Sequence, residues 1–271
     1  MNKKEQAFIA RVWGLYENEG RHALPWRKTH DPYRILVSEV MLQQTQVDRV
    51  LPKYRAFIRA FPSVSALARS PLKDVLIAWQ GLGYNRRAKL LHSCASVIAH
   101  EYRGRFPRTK EELQALPGIG PYTASAVLAF SFEVPTALIE TNVRSVFLHH
   151  FFADDADVPD AALLPYIERT LQKERVREWY WALMDYGSFL KKHTENPSRR
   201  SRHHTKQSPF KGSDRSIRGA IVRMLTQGPL TRTQILASLK EFEDARVDAI
   251  LQRLCEEGLI ADGKRGMYAL P

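Results

Sequence analysis

Nine residues constrain this chain more than any others: Leu116-Pro117-Gly118-Ile119-Gly120-Pro121-Tyr122-Thr123-Ala124. A helical pattern from Thr109 to Ala115 runs into them, and a second apolar pattern leaves from Tyr122 through Phe130. That spacing predicts a helix, a tight hairpin and a second helix. Gly118 and Gly120 permit positive φ and close backbone approach, and Pro121 suits the first turn of a helix, where its missing N–H is not needed. The turn therefore aims N–H groups outward, and such donors at a helix start form an anion site. With a formal charge of +12 and a pI near 9.8, the matching anion is a nucleic-acid phosphate. Taken alone, the nonamer reads more readily as a plain connector between two packed helices.

The 271 residues suffice for a large core and a smaller second domain. From residue 7 to about 190 apolar positions recur at three- and four-residue spacings, with no sustained alternation, which predicts an all-α body. It is divided by Leu24-Pro25-Trp26, Asp31-Pro32, Phe61-Pro62-Ser63, Ser70-Pro71, Gly81-Leu82-Gly83, the hairpin and Val134-Pro135, with Ser63 and Ser70 as expected N-caps. Residues 191–212 read as a basic linker. Helices are then predicted over Ser216 to Gln227, Thr231 to Leu239 and Asp244 to Glu257, followed by two short strands around Gly263-Lys264-Arg265-Gly266. Three helices and a basic-tipped hairpin resemble a winged-helix domain, a fold that serves for contact with either DNA or protein. The two cysteines, Cys94 and Cys255, are spaced neither as a disulfide framework nor as a metal knuckle. No signal peptide and no spanning run are visible, so a reducing, intracellular setting is expected.

Chemistry concentrates in a few segments. In Asp31 to Val47, a helix with Leu36, Val40 and Val47 on its buried face would hold Glu39 in apolar surroundings. Such surroundings favour a protonated carboxyl, suited to general-acid work, against the alternative of a solvated Glu39. Gly81-Leu82-Gly83-Tyr84-Asn85-Arg86-Arg87-Ala88-Lys89 combines close backbone approach, an aromatic for stacking and three cations. Glu140 and Asn142 stand in Leu138-Ile139-Glu140-Thr141-Asn142-Val143, with Asn142 expected to cap or brace the turn.

The nonamer resembles the helix-hairpin-helix signature of the DNA glycosylases related to endonuclease III. Ser38 to Val47, with Leu24-Pro25-Trp26-Arg27 upstream, is similar to the MutY branch, the adenine DNA glycosylases acting opposite 8-oxoguanine. The resemblance implies that Glu39 protonates the leaving adenine and that Gln44 wedges into the base stack. It further implies that Thr45 lies against the oxidised guanine, that Tyr84 intercalates beside the lesion, and that Trp26, Arg27 and Asp185 border the pocket for the flipped base. Gln43, Arg86, Arg87, Gly118, Gly120 and Thr123 complete the implied DNA contacts. Tyr122 stands where the lyase branch has a lysine, so a hydrolase without efficient strand scission is implied. The family's aspartate at the sugar cation is replaced here by Glu140. Asn85 replaces a second aromatic, and the four cysteines of the family's iron–sulfur cluster and its Nudix-like carboxy-terminal domain have no counterpart.

The expectation is thus a mainly α chain: a helix-hairpin-helix glycosylase fold of two helical subdomains over residues 1–190, the linker 191–212, and a winged-helix domain over 213–271. The function expected is a monofunctional glycosylase removing adenine opposite 8-oxoguanine or guanine. A thymine or uracil mismatch glycosylase and a non-catalytic lesion-binding protein are the alternatives. Its partner is duplex DNA with a mispaired or damaged base, its state a monomer without membrane contact, and its location the cytoplasm at the nucleoid. No cofactor is expected beyond a monovalent cation that the hairpin can hold.

Overall fold

A computed structural model describes residues 1–205, 209–263 and 266–271. Eleven helices come first: α1 (Lys3–Glu19), α2 (Pro32–Leu42), α3 (Val47–Ala60), α4 (Val64–Arg69), α5 (Leu72–Ala78), α6 (Arg86–His100), α7 (Lys110–Ala115), α8 (Pro121–Phe132), α9 (Thr141–Phe151), α10 (Asp160–Thr170) and α11 (Val176–His193). The carboxy-terminal part follows as α12 (Asp214–Leu225), β1 (Leu230–Thr231), α13 (Arg232–Ser238), α14 (Asp244–Glu256), β2 (Ala261–Gly263) and β3 (Met267–Ala269). None of the helices described is long and apolar enough to cross a membrane.

The chain forms two compact units. The first comprises residues 1–36, 107–115 and 119–206; the second comprises 37–106, 116–118 and 207–271. The first unit is built on α11, which packs against α9, α1 and α8. Trp179, Tyr180, Ala182 and Leu183 of α11, Val143, Val146 and Phe147 of α9, and Phe8 and Val12 of α1 are all buried in one core. The α8 helix is apolar nearly all round and is buried from Thr123 through Ser131, as a helix without a polar face must be. Gly187 lets α11 approach α9: a Cβ there would lie 2.3 Å from the Asn142 carbonyl oxygen. Tyr180, fully buried, donates its hydroxyl to Thr136 O (2.7 Å) and accepts from Leu138 N (3.0 Å). It thereby pins the extended segment that delivers Glu140 to the start of α9.

In the second unit α6 packs on α4 and α5 around Trp79, Phe57, Leu67 and Ile98. The carboxy-terminal module has its own core, where Ile217, Ile221, Val222 and Leu225 of α12 lie buried with Val247, Ile250, Leu251 and Leu254 of α14. Its three short strands form an antiparallel sheet in the order β1-β3-β2. The succession α12-β1-α13-α14-β2-β3 has the order of a winged helix, with β1 as a strand the sequence pattern did not predict. The expected basic tip, Lys264 and Arg265, lies outside the described residues.

Several expectations are corrected. The hairpin forms between α7 and α8, but only Gly118 has positive φ (+77°). Gly120 is extended (φ −85°, ψ 175°) and acts as the N-cap residue of α8, with Pro121 in its first turn. Ser63 caps α4 through Ala66 N, whereas Ser70 ends α4 and donates to Ala66 O; Pro71 precedes α5. Val47 does not share a face with Leu36 and Val40, because α2 stops at Leu42 and Val47 opens α3. The stretch 191–212 is not a connector throughout. Helix α11 runs on to His193, Pro197–Arg200 forms a 3-10 turn with Ser198 buried, and Ser201 bridges to Val158. Lys206, Gln207 and Ser208 lie outside the described residues.

Candidate active site

Each unit carries part of the expected set. In the first, Glu140 is the N-cap residue of α9. Its Oε1 accepts from Asn142 N (2.7 Å) and Val143 N (2.8 Å), and its Oε2 from Asn142 Nδ2 (3.2 Å). The cap is therefore Glu140 itself, and Asn142 braces it from the side. Asn142 Oδ1 in turn accepts from Lys191 Nζ at 2.9 Å. Burial holds the Lys191 ammonium below its ordinary pKa, while the Glu140 charge pulls it back up. The extra methylene of Glu140 is thus folded back onto the helix start, where its carboxylate takes two backbone N–H groups that the helix leaves without a partner. Tyr122 is half-buried and Thr123 buried on the first turn of α8.

Trp26, Arg27 and Asp185 are all buried. Arg27 grips Asp185 through two bonds, Nη1 to Oδ2 (2.7 Å) and Nη2 to Oδ1 (2.8 Å). Arg21 adds its backbone N (2.8 Å) and Nε (2.6 Å). Asp185 is therefore neither a surface charge nor a carboxylate with spare acceptors for a base; it fastens the turn Pro25–Arg27 to α11. A cleft of about 310 Å³ on this unit is lined by Tyr16, His22, Arg27, Glu178 and Trp181 among others, and of the expected trio only Arg27 borders it.

Burial pushes the Asp185 carboxyl up, but the Arg27 hydrogen bonds and the charges of Arg27 and Arg21 outweigh it, so its pKa ends below the ordinary value. A depressed folded-state pKa stabilises above the unfolded value, about 3.9, and that stability drains as pH falls through the lower folded value. Asp185→Asn, which leaves a buried guanidinium without its counter-charge, is expected to cost about 3 kcal/mol at neutral pH. The gap to the wild type should close as pH falls below the ordinary carboxylate range, measured by urea unfolding across pH 7 to 2.

In the second unit Glu39 is 6% exposed on α2, beside the buried Val37, Val40 and Met41. Where α2 ends, its last carbonyls have no partner in the helix. Arg87, from the first turn of α6, supplies one: Nη1 donates to Val40 O (2.8 Å), Met41 O (3.0 Å) and Gln43 O (2.6 Å). Its Nη2 donates to Thr45 Oγ1 (3.2 Å), Leu82 O (3.2 Å) and Gly83 O (3.1 Å). One guanidinium thus ties the end of the Glu39 helix to the 43–45 turn and the 81–84 loop, and burial lowers its pKa to about 10. Arg87, expected among the DNA contacts, is engaged by these six acceptors, whereas Arg86 beside it is exposed. Charge at a helix start was visible in the sequence, but its direction was not.

Held by that clamp are Gln44 and Tyr84, both exposed and both left-handed (φ +53° and +49°). Such backbone is costly for residues with a Cβ and persists where the surroundings impose it. Arg87→Ala is expected to lower stability by about 2 kcal/mol, through orphaned carbonyls. Urea denaturation monitored by circular dichroism checks the value.

The chain's two cysteines, Cys94 buried in α6 and Cys255 in α14, cannot supply four thiolates, so its residues do not fit an iron–sulfur cluster. Among the described residues no group of three or more His, Cys, Asp or Glu is placed to hold a metal ion.

The family described as HhH-GPD superfamily base excision DNA repair protein matches residues 37–174. The chain belongs to that superfamily. Its relatives include an adenine DNA glycosylase of Mycobacterium tuberculosis, 35% identical over 92% of this chain and 88% of its own length. Another, an adenine DNA glycosylase of Buchnera aphidicola, is 38% identical over 68% of this chain, which spans only 52% of that relative's length. Among solved structures, a thermostable thymine-DNA glycosylase aligns with a TM-score of 0.62 at 27% identity, covering 69% of this chain and 87% of that one. The helix-hairpin-helix glycosylase fold and the MutY-type kinship expected from the sequence are both met, and the chain is a DNA N-glycosylase.

Proposed function

We propose that this glycosylase is monofunctional and hydrolyses the N-glycosidic bond of an adenine flipped from duplex DNA, opposite 8-oxoguanine or guanine. The observation that carries the reading is Glu39. It is a carboxyl buried on α2, and the helix end is locked by Arg87 to two exposed, left-handed residues suited to filling the gap left by an extruded base. Glu39 gives its proton to the departing adenine as the glycosidic electron pair leaves with the base. Glu140, with Tyr122, stabilises the resulting sugar cation. Water then adds to the sugar carbon and returns a proton to Glu39. Gln44 and Tyr84 occupy the gap. The hairpin from Gly118 to Thr123 addresses a phosphate through backbone N–H groups, directly or through a monovalent cation. The protein acts as a monomer on mispaired duplex, inside the cell and at the nucleoid, and no step passes through an iron–sulfur cluster.

A thymine or uracil mismatch is the second reading, supported by the likeness to the thymine-DNA glycosylase structure. Duplexes carrying each mispair, incubated with the protein and then treated with alkali, separate the readings. Strand breaks at adenine support the first and breaks at thymine or uracil the second. Tight binding with no break in any duplex supports a lesion-binding protein without catalysis. Because the phenol of Tyr122 cannot form a Schiff base, no break should occur before alkali; efficient borohydride trapping of a covalent adduct would refute the monofunctional assignment.

A further inference from the structure

The carboxy-terminal module and the 81–84 loop belong to the same compact unit, and they touch. Arg215, in the first turn of α12, donates from Nη1 to the Tyr84 hydroxyl at 2.8 Å. Its guanidinium carbon lies 5.9 Å from the ring centroid, while that of Arg87 lies 5.5 Å from it. Three further anchors hold the module against this part of the unit. Lys89 Nζ donates to the Glu257 carbonyl, Lys73 N donates to Pro271 O at 3.1 Å, and Gly258 turns with φ +60° beside Lys89, where a Cβ would lie 2.5 Å from the ammonium nitrogen.

The charges of the module indicate which of its helices is suited to DNA. On α14, the third helix, three acidic residues stand against two arginines, Arg246 and Arg253. Both lie against Asp214, at 2.7 and 3.9 Å. On α12, Asp214 is the one acidic residue, against Arg215, Arg218 and Arg223. The helix that a winged helix ordinarily presents to the major groove is thus acidic on balance here. The basic helix is the one that meets the 81–84 loop.

We propose that Arg215 is a positioning residue for Tyr84, so that the carboxy-terminal module forms part of the surface that reads the mispair. This rests on the reading of Tyr84 as the side chain that enters the base stack. The phenol ring stands on left-handed backbone directly after two glycines, at φ +90° and +72°. A charge-assisted bond at its hydroxyl end fixes the tip while leaving the ring partly exposed, 39% for Tyr84. The module thereby acts on lesion preference through one side chain.

The test uses the full chain in a Glu39→Gln background, so that binding is read without turnover, with a duplex bearing adenine opposite 8-oxoguanine and the fully paired duplex. Arg215→Ala is expected to weaken the mispaired complex about tenfold, the value of a charge-assisted hydrogen bond, with a smaller loss on paired DNA. Tyr84→Phe, which removes the hydroxyl, should give a similar loss, the double variant no further loss, and Arg215→Lys partial recovery. Equal losses on both duplexes, as from a lost phosphate contact, or additive losses in the double variant would overturn the proposal. Tyr84→Ala separates the two levels. If it abolishes mispair preference while Arg215→Ala spares it, only the role of Arg215 falls. If Tyr84→Ala itself leaves the preference intact, the reading of Tyr84 falls with it.

Discussion

Glu39→Gln is expected to lower the single-turnover rate of adenine release about a thousandfold, within the range for removal of a general acid. The amide matches the carboxyl in size and keeps an acceptor, but it has no acidic proton to give. Glu39 is buried at 6% exposure among Val37, Val40 and Met41. Truncation to alanine would open a cavity and confuse chemistry with packing, so glutamine is the informative change. The variant should retain affinity for mispaired duplex, because the 43–45 turn and the Tyr84 loop are held by Arg87. Rapid-quench assays with protein in excess measure the rate; a loss below about tenfold would assign the proton to another group.

Glu140→Gln is expected to cost a similar factor, about a thousandfold, for a different reason. Gln keeps an oxygen that can accept from Asn142 N and Val143 N, so the α9 cap survives. What disappears is the negative charge proposed to stabilise the sugar cation. Glu140→Ala removes both, and should add about 1 kcal/mol of destabilisation to the same catalytic loss. Comparing the two variants by single-turnover rate and by urea unfolding separates the cap from the charge. If Glu140→Gln turns over at the wild-type rate, the carboxylate serves only the helix. That outcome is a pointed one, since Glu140 already receives two backbone N–H groups and the Asn142 amide. The departure from the family's aspartate then acquires a physical meaning: the longer side chain doubles back to its own helix start.

Much of this site was legible along the chain because the relevant physics is local. A Gly-x-Gly-Pro turn, a helix without a polar face, and an acidic residue two positions before Asn-Val each act within a few positions. Arg87 was not legible. Its six acceptors come from residues 40–45 and from Leu82 and Gly83, and only folding brings these together. The same clamp explains why α2 ends at Leu42 without a glycine or proline to stop it, and hence why Val47 was wrongly placed on its face. Asp185 is a similar case, since nothing near position 185 announces that Arg21 and Arg27 will surround it.

The sequence by itself determined the helical class, the helix-hairpin-helix turn and the kinship with base excision glycosylases. These depend on backbone preferences and apolar period, which neighbouring residues settle among themselves. Tertiary structure alone decided which charges are scaffold and which stay at the surface. A guanidinium or carboxylate takes its role from partners it meets only on folding, and from the water it loses there.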